Sequence, residues 1–508
     1  MNVHAQHQVA VEIHGNFVDG REIEANYGEM IDVRNPATGA VIARIPDSSS
    51  ADIDRAMKSA RAAFEGKAWG GMDVRARARL VNRLADAFEA NLETLYRLET
   101  LNNGRPINET RAQLSRLPDF FRYFAGLALA RRDDVIPVQG PYLNYTLRTP
   151  LGVVANCTPF NHPLMILCKS LAPVLASGCT TVVKPSEYTP LTTLKLAQIF
   201  SEAGLPPGVF NVVLGYGAHA GKFLSEHPDI DKFVLTGGTE PGRMAGAAAA
   251  RVFAHQTLEL GGKTPVMVFD DFDVDQAVNY AAFGAFIGAG QTCICGSRHL
   301  VQRSIYDEFV DKLAAKARTL RIGDPFDPQT QLGPVISAKQ LERVLSYIGF
   351  GREDGARAVA GGGAAQVAGL EGGYFVQPTV FADVGARMRI FQEEVFGPFT
   401  SVTPFNDEAD ALRLANDSRF GLGAAIRTRD IARGHRVAAA VKAGIVWIND
   451  HHRLDPASPW GGVGDSGVGR ECGVESFSDH FNVKSVMVAT SDAPFDWYHD
   501  TAGQPRLN

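Results

Sequence analysis

VLTGGTEPGR, residues 234–243, passes from a β-branched strand through two glycines and Thr239 into an alanine-rich helix. Such a stretch turns backbone N–H groups and a helix N-terminus toward any anion above it. Taken alone it equally fits a tight strand-to-helix turn without a ligand. Its GxxxxG spacing lacks the Lys-Ser/Thr pair of a P-loop, which weakens a nucleoside-triphosphatase reading. The neighbouring segments decide the fold. Short runs, GVVAN (152–156), TTVVK (180–184), VFNVV (209–213) and KFVL (232–235), alternate with helical stretches, the pattern of parallel βαβ units. A doubly wound nucleotide-binding layer is expected.

A second alternating region starts at PVMVF (265–269), continues through the helix IYDEFVDKLAAKARTL and reaches a strand pair around YFVQPTVF, with Gly361–Gly363, Gly369 and Gly372–Gly373 forming a hairpin. GIVWIN (444–449) is a strand feeding a polar Pro- and Gly-rich loop. Upstream, Ile53 to Tyr96 reads as two amphipathic helices, the first capped by SSSAD. The fold class is therefore α/β, with two doubly wound domains. QGPYLNYTLRTP and FNVKSVMVAT lack a helical period and read as extended segments that pair with each other or with another subunit.

Composition excludes several functions. Hydrophobic residues at 45% and charged residues at 21% fit an ordinary globular chain, and its 508 residues suffice for several cores. A net charge of −6 with interspersed signs offers no stripe for nucleic acid and no polybasic membrane patch. The six cysteines, 157, 168, 179, 293, 295 and 472, are too sparse for a disulfide scaffold and form no CxxC pair, so no metal site and a reducing, cytoplasmic setting are expected. The N-terminus shows no secretory signal. The uncharged run Gln276–Ser297 contains polar residues and four glycines, and its apolar centre is too short to span a bilayer. It reads as a buried helix leading into GQTCICGSR (290–298).

GxGxxG occurs at Gly462, Gly464 and Gly467, but behind Pro459 and Trp460 in a loop rather than between a strand and a helix, so it is not taken as a dinucleotide motif. TPFNHP (158–163), KPSE (184–187), LTGGTEPG (235–242), LELGGK (258–263), GQTC (290–293), EEVFGP (393–398) and PWGGVGDSGVGRE (459–471) then form an ordered set. That set resembles the aldehyde dehydrogenase superfamily from about Gly15 to Val488. The resemblance implies an NAD(P)-binding domain at 1–137 and 150–259, a catalytic domain at 260–477, a β oligomerisation arm at 138–149 and 478–495, and a C-terminal tail at 496–508.

It also implies roles. An aldehyde hydrogen leaves as hydride only once the carbonyl carbon is tetrahedral, and a thiolate serves as the nucleophile. Cys293 matches that nucleophile, while Cys295 occupies a variable neighbouring position. Asn161 and the Cys293 N–H are the implied oxyanion donors, each worth ~3 kcal/mol in the transition state. Glu259 matches the base that hydrolyses the thioester, a group generally missing from members that acylate coenzyme A. Lys184 and Glu187 resemble the adenosine-ribose contacts, Thr236, Gly237, Gly238 and Gly242 the pyrophosphate cradle, Glu394 the nicotinamide-ribose ligand and Phe396 its neighbour. Gly238 departs from the serine of many members. A carboxylate at Glu187 favours NAD, with NADP possible.

The substrate tunnel is expected from Met165, Ile166, Lys169, Ile294, Cys295, His452, Arg453 and Leu454. Arg453 or the adjacent histidines would read a polar or anionic distal group. Alternation along the segment would turn His452 and Leu454 inward and Arg453 away. A solvated loop in which His451, His452 and Arg453 pair with Asp450 and Asp455 is the plainer possibility. The implied partners are a small aldehyde and further copies of the chain, as homodimer or homotetramer. A thiol esterase using Cys293, or an idle structural protein on this fold, are the competing functions.

Overall fold

The computed structural model describes residues 11–23 and 30–492; the expected tail at 496–508 lies outside them. Two large α/β sheets carry the site. In the first, five parallel strands stand in the order His255–Glu259, Lys232–Thr236, Val153–Cys157, Thr180–Lys184, Phe210–Val212. The sequence order therefore reverses between Val153–Cys157 and Lys232–Thr236, a switch point at whose carboxyl edge a crevice opens. Strands Val153–Cys157 and Thr180–Lys184 are buried along their whole length, which is why they read as continuous β-branched runs rather than alternating ones.

The second sheet has the order Arg357–Ala360, Thr379–Ala382, Phe399–Phe405, Arg298–Gln302, Pro265–Val268, Gly423–Arg427, Ile445–Ile448. Only the first pairing is antiparallel, the hairpin that the glycine-rich segment closes. The uncharged run folds as helix Val274–Phe286 and passes through Ile287–Gly290 into the Cys293 loop.

Ser49 and Asp52 close a reciprocal capping box on helix Ser50–Glu65. The region read as two helices holds three: Ser50–Glu65, Val74–Ala90 and Leu92–Asn103. Asn91 ends the second and begins the third, so the break is one residue long and leaves the apolar period nearly continuous. The two extended segments pair with each other along nine residues, Tyr142–Pro150 against Phe481–Ala489, and Val135–Ile136 adds a third strand. The GxGxxG segment forms two-residue strands in a loop; Gly467 pairs with Glu259 and Val468 with Leu258, so it covers the strand that carries Glu259.

Candidate active site

The carboxyl edge of the first sheet gathers residues from distant motifs. Register places Cys157 beside Lys184 and Thr236 beside Glu259, so the loops that follow leave from one edge. Facing them, the second sheet contributes the Cys293 loop and EEVFGP. Between the two lies a cleft of about 430 Å³ lined by Asn161, Thr236, Gly237, Gly238, Cys293, Glu394 and Phe396 among others.

Cys293 is half-buried. Its turn closes through Cys295 N–H to the Thr292 carbonyl at 2.9 Å. Gly262 lets LELGGK approach this turn, since a Cβ there would overlap the Cys293 carbonyl oxygen. Burial pushes the Cys293 thiol up to about 12, with Lys169 opposing and Glu259 and Glu394 adding. The resting thiol is protonated at neutral pH. Cys295 is buried, its thiol also pushed to about 12 by burial, and its Sγ donates to the Ala285 carbonyl at 3.5 Å.

Asn161 is 4% exposed, and its side-chain oxygen has no hydrogen-bond partner among the described residues. Glu259 is 3% exposed with both carboxylate oxygens in the same condition. Burial and the nearby Glu471 hold Glu259 well above the ordinary carboxylate range, with Lys169 and Arg470 opposing. Lys169 is buried in an ion pair: Nζ lies 2.5 Å from Glu471 Oε2 and 4.9 Å from the Trp460 ring centroid. Burial alone would lower the Lys169 ammonium, but Glu471 and Glu259 raise it. At Glu259 this cation only partly offsets burial and Glu471, so the net direction stays upward.

EEVFGP is strapped in place. Glu394 accepts from Gly262 N–H at 2.9 Å, and burial lifts its carboxyl to about 7. Phe396 has φ +62, a left-handed conformation that costs a bulky residue energy. Gln340 Nε2 donates to the Phe396 carbonyl at 2.7 Å, Arg343 to that of Glu394 at 2.6 Å, and Tyr347 Oη to Glu393 at 2.6 Å. The sequence reading missed these three. Their spacing on helix Ala338–Glu353 was the available signal, a polar stripe at i, i+3 and i+7.

The turn expected to cradle pyrophosphate runs from strand Lys232–Thr236 directly into a helix. Helix Thr239–Arg251 starts at Gly238, and no side chain caps it. A Cβ at Gly242 would run into Leu260, so the helix sits tight on LELGGK. Pro241 lacks an N–H, which leaves the donors to Thr239 and Glu240. Lys184 and Glu187 stand outside the Cys293 cleft: Lys184 Nζ donates to the Gly215 carbonyl at 2.9 Å and lies 3.5 Å from Glu187.

Around GIVWIN's loop the expectations change. His451 is buried and His452 half-buried, their rings 4.5 Å apart, because His452 takes φ +62 and breaks the extended alternation. The solvated-loop possibility fails for both histidines. Asp450 accepts from the His451 N–H and Asp455 from Ala457, so neither turns to Arg453. The Arg453 side chain is exposed, and its carbonyl accepts from Trp447 Nε1 at 3.0 Å. Leu454 and Met165 are half-buried, while Ile166 and Ile294 are buried. Among the described residues no cluster of His, Cys, Asp and Glu is placed to hold a metal ion, and no helix is long and apolar enough to cross a membrane.

Comparison with known proteins agrees with this architecture. Residues 23–486 match the family described as "Aldehyde dehydrogenase family". The betaine aldehyde dehydrogenase of Cereibacter sphaeroides is 44% identical over 483 residues, 94% of this chain and 98% of the relative. The mitochondrial aldehyde dehydrogenase family 2 member B4 of Arabidopsis thaliana is 42% identical over 479 residues, 94% of this chain and 87% of its own. Among solved structures, an aldehyde dehydrogenase of Bacillus cereus in complex with NAD+ is 41% identical with a TM-score of 0.92, covering 97% of this chain and 99% of that one. The chain belongs to the aldehyde dehydrogenase family.

Proposed function

We propose that this chain oxidises an aldehyde to a carboxylic acid with NAD, through a covalent bond at Cys293 and hydrolysis assisted by Glu259. The observation that carries the reading is the convergence of Cys293 and Asn161 on one cleft, beside a buried Glu259 whose oxygens have no partner among the described residues. Cys293 Sγ adds to the carbonyl carbon as its S–H proton passes to water in the cleft. The Asn161 amide and the Cys293 N–H hold the resulting oxyanion. NAD, when bound, supplies the nicotinamide carbon that accepts the hydride. Glu259, once deprotonated, takes a proton from the water that attacks the thioester, and Cys293 leaves as thiolate.

The cradle suits a dinucleotide. Pyrophosphate would meet the uncapped helix at Gly238, Glu394 would take the nicotinamide ribose with Phe396 beside it, and Lys184 with Glu187 would take the adenosine ribose. A carboxylate at Glu187, beside Lys184, accepts from a 2′-hydroxyl and repels a 2′-phosphate. The Michaelis constant for NAD is expected below that for NADP, and Glu187→Gln should narrow the gap. A parent enzyme that prefers NADP contradicts the assignment. Turnover without NAD would favour the esterase alternative.

The substrate is read as an aldehyde with an apolar body and a hydrogen-bonding distal group. His452 donates Nε2–H to the Gly284 carbonyl at 3.3 Å, and burial lowers it to about 4, so a neutral ring offers Nδ1 as an acceptor. Lys169 over the Trp460 face speaks against a quaternary ammonium there. His452→Phe is expected to lower kcat/KM for a hydroxyaldehyde several-fold more than for its alkyl analogue, on the scale of one lost hydrogen bond. Arg453→Ala should leave a semialdehyde acid and its uncharged analogue equally affected. A selective loss of the acid would restore Arg453 as an anchor.

Self-association is supported by the arm sheet, whose outer strand Phe481–Ala489 exposes Val483, Met487 and Val488. The cytoplasmic compartment rests on the sparse cysteines, all six of them free.

A further inference from the structure

The oxyanion site is divided between two domains: Asn161 follows a strand of the first sheet, and Cys293 precedes a strand of the second. A donor that is misplaced by an ångström loses much of its effect, so something must set the register between residues 161 and 293. The neighbours of these two residues meet. His162 Nε2 lies 3.2 Å from Thr292 Oγ1. The tautomer follows from the other ring nitrogen: Nδ1 faces both the Arg105 guanidinium, which can only donate, and Gln113 Oε1 at 3.2 Å, and the guanidinium is the nearer of the two while that oxygen already accepts from Arg105. Nε2 therefore carries the hydrogen and donates it to Thr292.

Both ends of this bond are anchored. Arg105 donates to Gln113 Oε1 at 2.7 Å and pairs with the fully buried Glu99 at 3.3 Å, while Glu99 accepts the Leu164 N–H at 3.3 Å at the start of helix Pro163–Ser177. The guanidinium is thus fixed from the domain that carries Asn161. On the other side, His451 Nε2 donates to the Ile294 carbonyl at 3.0 Å. Its ring fits because residue 284 is glycine: a Cβ there would overlap Nδ1, and one at Gly296 would lie 3.0 Å from Cε1. The Ile294–Cys295 peptide is held at both ends, its N–H on Thr292 and its carbonyl on His451.

We propose that the His162–Thr292 hydrogen bond is a register pin between the two domains, and that His162 and Thr292 are positioning residues which bring the Asn161 amide onto the oxygen held by the Cys293 N–H. His451 backs the pin by immobilising the far side of the turn. The proposal rests on the reading that Asn161 and Cys293 serve one reaction. It assigns to Thr292 a part beyond filling space beside the nucleophile.

The test compares Thr292→Val, which keeps the shape and removes the hydroxyl, with Thr292→Ser, which keeps the hydroxyl, in the parent and in an Asn161→Ala background. Thr292→Val is expected to lower kcat by about 10-fold with the Michaelis constant for NAD within about two-fold, and Thr292→Ser to recover most of the loss. In the Asn161→Ala background Thr292→Val should change kcat by less than about two-fold, because the group it positions is gone. An equal loss in both backgrounds, or no recovery by serine, overturns the pin. If Thr292→Val does not fold, His162→Gln is put through the same pair of backgrounds, with the same outcomes deciding. If Asn161→Ala alone leaves kcat unchanged, the oxyanion assignment fails first, which separates that failure from failure of the pin.

Discussion

Cys293→Ala is expected to abolish aldehyde-dependent NADH formation, a loss of about five orders of magnitude or more, on the scale seen when a hydrolytic enzyme loses its nucleophile. The expectation is specific to one of two neighbouring thiols. Both are pushed to about 12 by burial, so acidity does not single out either. Position does: Cys293 lines the cleft with Asn161 and Glu394, whereas Cys295 is buried against the Ala285 carbonyl. Cys295→Ala should therefore retain NADH formation within about 10-fold of the parent, the range of a packing change beside an active site. Progress curves for the two variants and the parent check this, and a Cys293→Ala enzyme that still turns over removes the covalent mechanism.

The second large effect falls on Glu259. Glu259→Gln should release one equivalent of NADH per active site and then slow by about 10² to 10⁴, the usual worth of a general base. Glutamine keeps the size of the side chain but cannot take the proton from water. The pH profile supplies a sign. Burial and Glu471 raise the Glu259 carboxyl above its ordinary range, so the basic form grows as pH rises, and the parent steady-state rate should climb with pH over a range displaced upward from that of an ordinary carboxylate. The variant's residual rate should lack that rise. Rapid-mixing fluorescence of NADH gives both the burst and its absence, and an unchanged steady-state rate would take Glu259 out of the step.

Much of the fold was legible because buried parallel strands are written as β-branched runs. TTVVK matched its strand residue for residue, and GIVWIN lost only its ends. Helix Leu92–Asn103 was not separated from its predecessor, since a one-residue hinge at Asn91 does not interrupt the apolar period. In the site, residues inside contiguous motifs could be numbered from the sequence. Gln340, Arg343 and Tyr347 show only as a polar stripe on their helix, because the EEVFGP groups they bond lie about 50 positions later. Lys169 illustrates a different gap. Its helix face is readable, but its burial depends on Glu471, 302 residues away in sequence. His451 and His452 pack together in a segment with positive φ at both Asn449 and His452, which strand periodicity cannot anticipate.

One covalent bond, to Cys293, is expected to separate the redox step from hydrolysis. Glu259→Gln mixed with aldehyde and NAD, quenched in acid after the burst and digested, tests it most directly by peptide mass spectrometry. The account predicts one acyl group per chain, carried by the peptide containing residues 290–298 and assigned by fragmentation to Cys293, and no such adduct when NAD is left out. An acyl group on Cys295, or a full NADH burst with no acylated peptide, would contradict it.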